Sequence, residues 1–216
     1  MDERWRLAKK EQALRTRAAM IQAMRLFFVT CDFLEVETPL RVPEIAPEAH
    51  IDAISSENEF LQTSPELCMK RLLAAGYSRL FQISKCFRRG ERGGRHLPEF
   101  TMLNLVEMGL PEKDCQKRIK ELACLVMEAA EINDYAFETV GSEVYGETFD
   151  IVYNKIEIGS AAMGPHPLDQ AWGITVPWVG IGFGLERILA VKNGLNSVQK
   201  AGHSLSYMDG IRLNIQ

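Results

Sequence analysis

The sequence predicts an α+β fold in which an antiparallel sheet is flanked by helices. Three observations carry this. Two strand-like runs, Leu80–Phe87 and Glu99–Met108, enclose a turn rich in glycine and arginine, the signature of a long hairpin. Two long segments, about 4–28 and 111–132, repeat apolar residues at helical spacing. No G-x-G-x-x-G or G-x-x-x-x-G-K-[ST] run is present, so neither nucleotide fold of that type is indicated. Strands joined by hairpins as well as helices point to an antiparallel sheet.

In chain order, the first helix has Leu14, Ala18, Ile21, Met24 and Phe28 as its buried stripe. Phe33–Glu37 reads as a strand ended by Thr38-Pro39, and Pro43 and Pro47 mark a loop. Glu59–Gln62 is a short strand. Ser64-Pro65-Glu66 opens a helix, with Ser64 as N-cap, Pro65 at the first helical position and Glu66 at the positive end of the dipole. Gly76 ends it. After the hairpin, Pro111 opens a helix to about Ile132 with Cys115, Ile119, Leu122, Val126 and Ala129 on one face. Strands follow at Thr148–Val152, Ile156–Ala161 and Trp178–Phe183, the last running into a helix at Gly184-Leu185-Glu186-Arg187.

The chain has 216 residues, 46% of them apolar, enough for one large domain. It is read as a single domain over 1–216. A net charge of −4 argues against a dedicated nucleic-acid-binding domain but leaves room for a basic face. Such a face lies in Arg4, Arg6, Lys9, Lys10, Arg15, Arg17 and Arg25, whose plain reading is a solvated helix side. The five cysteines are odd in number and lack zinc spacing, which predicts free thiols, mostly in the core, in a reducing cytoplasm. There is no signal peptide, and no apolar run long enough to span a membrane. Trp5 and Trp172 are expected to pack, and His50, His166 and His203 receive no role.

Between Arg88 and Arg95 the chain carries four arginines and three glycines. A guanidinium binds phosphate oxygens in pairs, and glycine lets backbone approach a ligand. An exposed basic hairpin tip has the same composition. On the following strand, Phe100, Met102, Asn104, Val106 and Met108 share one face, and Thr101, Leu103, Leu105 and Glu107 the other. The first face is able to line a pocket, with Phe100 stacking on a base. A strand buried on both faces gives the same pattern.

Three segments in order resemble the motifs of class II aminoacyl-tRNA synthetases. They are Phe33-Leu34-Glu35-Val36-Glu37-Thr38-Pro39, Phe87-Arg88 with Pro98-Glu99-Phe100-Thr101-Met102-Leu103, and Phe183-Gly184-Leu185-Glu186-Arg187. The resemblance implies a six- or seven-stranded sheet, a homodimer through the Leu34–Pro39 region, and use of ATP and Mg²⁺ to form an aminoacyl-adenylate. By the same resemblance Arg88 holds the α-phosphate and the substrate carboxylate. Phe100 stacks on adenine with Arg187 on its other face. His96 and nearby arginines reach the outer phosphates, Glu157 and Ser160 hold magnesium, and Gly182 and Gly184 admit the nucleotide. The plain alternative for Glu157 is a strand carboxylate paired with a lysine such as Lys155.

Within the class, residues from Phe60 to Leu103 look like the lysyl-tRNA synthetase paralogue that modifies elongation factor P, through Leu61–Glu66, Met69–Leu73 and Phe87–Gly93. From Asn104 onward the chain looks like the pyrrolysyl-tRNA synthetase catalytic domain, through Val144-Tyr145-Gly146, Pro167-Leu168-Asp169, Pro177-Trp178-Val179-Gly180 and the tail Ser204–Gly210. The second likeness implies that Asn104 binds a substrate carbonyl, that Tyr145 covers the substrate from a mobile loop, and that Trp178 floors the pocket. Cys68, Val106, Ala161 and Ala162 then leave an apolar cavity for a bulky or modified lysine. The chain departs from these patterns at Cys68, where a tyrosine is usual, at Arg71, where an apolar residue is usual, and at Gly90, which sets Glu91 one place late. No anticodon-binding domain is read in it. Three functions follow: a tRNA ligase, a ligase that transfers (β-)lysine to an acidic protein acceptor such as elongation factor P, and a non-catalytic amino-acid or nucleotide sensor.

Overall fold

The computed structural model describes residues 10–45, 51–91 and 93–201. The expectations placed on Arg4, Trp5, Arg6, Lys9, Pro47, His50, Arg92, His203 and the Ser204–Gly210 tail lie outside them. The elements are α1 (Glu11–Thr30), β1 (Leu34–Glu35), β2 (Arg41–Val42), β3 (Ile54–Ser56), β4 (Glu59–Leu61), α2 (Glu66–Ala74), β5 (Arg79–Phe87), β6 (Glu99–Met108), α3 (Glu112–Ala130), β7 (Ala136–Ser142), β8 (Gly146–Tyr153), β9 (Ile156–Gly164), α4 (Pro167–Ala171), β10 (Trp178–Gly184), α5 (Leu185–Lys192) and α6 (Val198–Ala201). Seven strands form one sheet in the order β1-β5-β6-β10-β9-β8-β7, antiparallel except for the β1–β5 pair. β2, β4 and β3 form a second, small sheet. No helix among the described residues is long and apolar enough to cross a membrane.

Strand alternation sorts the side chains into two layers. Leu103 and Leu105 of β6, Phe81 of β5, and Val179, Ile181 and Phe183 of β10 pack with α1, α3 and α5 in the main core. Their neighbours Leu80, Val106 and Trp178 point the other way, into a smaller cluster with Met69 and Leu73 of α2. The helices thus cover one face of the sheet, and α2 partly covers the other.

Several elements differ from expectation. In α1, Ile21, Met24 and Phe28 are buried as the period predicts, but Leu14 and Ala18 are exposed and Met20 joins the core instead. The basic side of α1 is not wholly solvated. Arg15 is exposed, but Lys10 is buried and donates to the Gln199 carbonyl, and Arg17 donates to the Thr101 hydroxyl. The expected strand at Phe33–Glu37 shrinks to Leu34–Glu35 at the sheet edge. α2 starts at Glu66 with Pro65 as its cap residue, while the Ser64 hydroxyl still accepts the Glu66 amide at 3.3 Å. Strand β7 is an addition to the expected set. Its side chains are mostly exposed, so no apolar alternation announces it.

Two tight hairpins set the geometry of the β7–β9 edge. Asn154 and Lys155, both at positive φ, turn β8 into β9 through the two-residue loop that suits strand twist. Between β7 and β8 a three-residue loop, Glu143–Tyr145, closes on Gly146 at φ +68°. The Ser142 hydroxyl accepts the amides of Val144 and Tyr145 and so fixes the loop's path.

Candidate active site

On the sheet face opposite the main core lies a cavity of about 350 Å³. Its floor is built of cross-strand rungs. One runs Asn104–Gly182–Ser160–Asp150 across β6, β10, β9 and β8, and the next Val106–Gly180–Ala162–Thr148. Each rung has a glycine of β10 at its centre, so the floor there is main chain. A β-carbon on Gly182 would stand 3.4 Å from Asn104 Oδ1, and one on Gly180 would stand 3.0 Å from the Trp178 ring. From Gly184 to Trp178 the floor runs about 20 Å at strand rise.

The outer end carries the charges. Arg88, at the end of β5, lies with its guanidinium carbon 5.1 Å from the Phe100 ring centroid. Its Nε donates to the Thr63 carbonyl at 3.4 Å. The loop supplying that carbonyl is laced to the sheet. Phe87 N–H donates to the Gln62 carbonyl, and Gln62 Nε2 donates to the Lys85 carbonyl at 2.7 Å. Arg187, in the first turn of α5, donates to the Arg95 carbonyl at 3.1 Å and pairs with the Glu157 carboxylate at 3.0 Å. Glu157 therefore pairs with an arginine of the cavity and not with Lys155. Glu186, beside Arg187, accepts the Thr101 amide at 2.8 Å and so ties α5 to β6. His96 and Glu91 stand together on the rim, 3.9 Å apart.

Glu157 reaches the cavity through an irregularity in β9. Ile151 pairs with Gly159 and Val152 with Glu157, so Ile158 is an extra residue in the strand. That bulge reverses the alternation, and Glu157 comes to share a face with Ser160. Asp150, missed in the sequence, completes the cluster. It faces Ser160 across the β8–β9 ladder, and its carboxyl lies above the usual carboxylate range. Burial is the chief cause, opposed by a hydrogen bond from Ser160 and reinforced by the charge of Glu157. Two carboxylates that repel each other, with a hydroxyl between, make an all-oxygen donor set. Such a set fits a hard cation that keeps its other positions for water and phosphate oxygens. No group of three or more His, Cys, Asp or Glu able to hold a metal occurs among the described residues.

The inner end is apolar apart from Glu66. Val106, Ala162, Tyr145 and Trp178 line it, Ala161 reaches it only as main chain because its methyl packs in the main core, and Gly184 lies at the opposite, outer end. Cys68 is not part of the lining; it sits half-buried on α2 with its thiol pushed up, chiefly by burial. Asn104 is 6% exposed. Its Nδ2 donates to the Ser64 hydroxyl at 3.4 Å, and Oδ1 has no partner among the described residues. The cavity thus meets a carbonyl acceptor, and half a turn about χ2 presents a donor in its place. Glu66 and Ser64 are further members that sequence reasoning missed, and His166, left without a role, stands behind two of the lining rings. The His166 ring lies edge-on to both Tyr145, at 5.3 Å, and Trp178, at 5.7 Å, and burial lowers its pKa.

Comparison with known proteins gives a consistent picture. The profile described as tRNA synthetases class II (D, K and N) matches residues 3–139. The chain is 33% identical over 156 residues to the elongation factor P–(R)-β-lysine ligase of Vibrio campbellii, covering 68% of this chain and 48% of that protein. Against the Histophilus somni (strain 2336) ligase of the same name, identity is 38% over 152 residues, covering 63% of this chain and 46% of the relative. The chain thus spans about half the length of the curated relatives it matches. Among solved structures, pyrrolysyl-tRNA synthetase from Desulfitobacterium hafniense superposes with a TM-score of 0.76 at 36% identity, covering 94% of this chain and 76% of that one.

Proposed function

The chain belongs to the class II aminoacyl-tRNA synthetase family, and from that premise we propose that it activates an amino acid with ATP in the cavity above β6, β10 and β9. The observation that carries this is the polarity of the cavity floor. Arg88, Arg187 and Glu157 gather at one end, Val106, Ala162 and Trp178 at the other, and the rung of Asn104 and Asp150 lies between them. A triphosphate fits the first end and a long, neutral amino-acid side chain the second.

In the reaction an oxygen of the amino acid's carboxylate bonds to the α-phosphorus. The bond from that phosphorus to the bridging oxygen breaks, and pyrophosphate leaves with the electron pair. No proton moves. Negative charge builds on the α-phosphoryl oxygens, and Arg88 and Arg187 stand ready to meet it. Phe100 gives the adenine a face to stack on, and His96 meets the outer phosphates. Asp150 and Glu157, with Ser160, would hold Mg²⁺, which when bound neutralises phosphate charge.

The substrate is a bulky or modified lysine. Asn104 addresses an amide in its side chain, Tyr145 closes over it, and the acceptor is tRNA. A second reading has a specific basis in the identity to elongation factor P–(R)-β-lysine ligases: (β-)lysine transferred to an acidic protein acceptor. The exposed Leu26, Val29, Leu34 and Leu40, at the end of α1 and around β1, are the contact face of a homodimer. Amino-acid-dependent ATP–pyrophosphate exchange tests the reading. Exchange with Nε-acyl-lysines supports the first form, and exchange with lysine or β-lysine the second. Silence with all of them, despite ATP binding, sinks both.

A further inference from the structure

One arginine on the basic side of α1 turns inward instead of toward solvent. Arg17 Nη2 donates to the Thr101 hydroxyl at 3.0 Å. The Thr101 amide in turn donates to Glu186 Oε2 at 2.8 Å. Thr101 and Glu186 are each 3% exposed. Burial pulls the Arg17 guanidinium below its usual pKa range, and the Glu186 carboxylate opposes that pull. Arg17 Nε is buried with no hydrogen-bond partner among the described residues. The charge is thus taken from water at a cost, and a buried ion pair of this kind adds little stability beyond a well-packed apolar side chain. Its contribution is geometric. Thr101 directly follows Phe100 in β6, and Glu186 directly precedes Arg187 in α5. Alternation along β6 puts Thr101 behind the sheet while Phe100 faces the cavity. Arg17, Thr101 and Glu186 therefore form a cluster at the back of the two side chains proposed to hold the adenine, and Arg17 itself lines no part of the cavity.

We propose that Arg17 is a positioning residue for the nucleotide: by drawing Thr101 and Glu186 together from behind the sheet, it sets the gap between Phe100 and Arg187 into which the base slides. Arg17 acts through those two side chains and does not touch the ligand. Without it, α5 is tied to β6 at this point by the Thr101 amide alone, beside a carboxylate that has lost its counter-charge. The inference rests on the ATP reading of this cavity.

Calorimetry with ATP alone reads the slot directly, and ATP–pyrophosphate exchange gives separate KM values for ATP and for the amino acid. Arg17→Met keeps an unbranched side chain but loses the hydrogen bond and the charge. It should weaken ATP binding and raise KM for ATP by at least about tenfold, the worth of one hydrogen bond from a charged group. KM for the amino acid should not move. Arg17→Lys can still reach the Thr101 hydroxyl and face Glu186, and should recover most of the loss. Thr101→Val keeps the amide and the shape; it should also weaken ATP binding, and should add little when combined with Arg17→Met. A folded Arg17→Met with unchanged ATP affinity overturns the proposal. So do equal rises in both KM values, or a folded Arg17→Lys as weak as Arg17→Met. If Arg17→Met does not fold, Thr101→Val decides, and unchanged ATP affinity there overturns the proposal. An unaltered protein that binds no ATP removes the reading of the cavity and this inference with it. Exchange silent with every amino acid, alongside the expected pattern of ATP binding, removes the activation reading and leaves the role of Arg17 standing.

Discussion

Arg187 Nη1 lies 3.0 Å from the Glu157 carboxylate and donates to the carbonyl of the same residue at 3.2 Å. In this pair a side chain proposed to bind phosphate is held by one proposed to bind metal. The pair is partly exposed and contributes about 0–1 kcal/mol to stability. Its value lies in holding both groups on the cavity. Arg187→Ala and Arg88→Ala should each lower kcat/KM of pyrophosphate exchange by roughly 100–1000-fold, the cost of losing one preorganised contact to developing charge. Circular dichroism should be unchanged. A loss under fivefold would remove that arginine from the reaction.

The metal role proposed for Asp150 ties cation binding to pH. Its raised carboxyl pKa means that the folded protein keeps a proton which the unfolded chain has released. The stability this confers is present at low pH and is lost as pH rises through the folded value. A bound cation needs the ionised form, so Mg²⁺ affinity should fall by about tenfold per pH unit below that value. Thermal melts with and without Mg²⁺ across pH 4 to 8 check both signs. Asp150→Asn should abolish the Mg²⁺ increment and remove the fall of metal-free stability with rising pH. A Mg²⁺ shift that persists in Asp150→Asn would place the cation elsewhere.

His166 gives a dependence of opposite sign. Burial holds its pKa below 6.5, so the unfolded chain takes up a proton before the folded one does. Stability should be complete above about pH 6.5 and should fall as pH drops through the folded value. His166→Gln, read by melts over the same range, should remove that slope while leaving the ladder of β9 and β10 intact.

The glycine floor makes a steric prediction. A valine at Gly182 has room for its β-carbon, 3.4 Å from Asn104 Oδ1, but its methyl groups enter the cavity. Gly182→Val should raise KM for the amino acid by at least about tenfold with little change in melting temperature. An unchanged KM would mean that the substrate does not cross this rung.

The parts legible in the sequence were those written in local spacing. Ile21, Met24 and Phe28 announce the buried side of α1, and the alternation of β6 correctly separates Asn104 and Val106 from Leu103 and Leu105. The ordered motifs led to Arg88, Phe100 and Arg187, which the fold brings to one cavity. What escaped depends on pairing between strands. Asp150 reads as a solvent-facing strand carboxylate until β8 is set beside Ser160. The bulge at Ile158, which turns Glu157 inward, leaves no trace in residue type. Lys70 and Asp169 lie 3.2 Å apart at a separation in sequence that no periodicity relates. Leu14 failed for a converse reason: apolar spacing predicts a stripe, but what docks against it decides whether it is covered.

The main-chain floor has a consequence for how such a pocket changes its substrate over generations. Backbone at Gly180 and Gly182 carries no side chain that could favour one amino acid over another, so on the proposed function discrimination falls to Val106, Ala162 and Asn104. These positions lie rungs away from the arginines. Mutational drift there would redirect recognition while the proposed phosphate chemistry goes on undisturbed, so a laboratory library aimed at new amino acids would vary the walls and hold the two glycines constant.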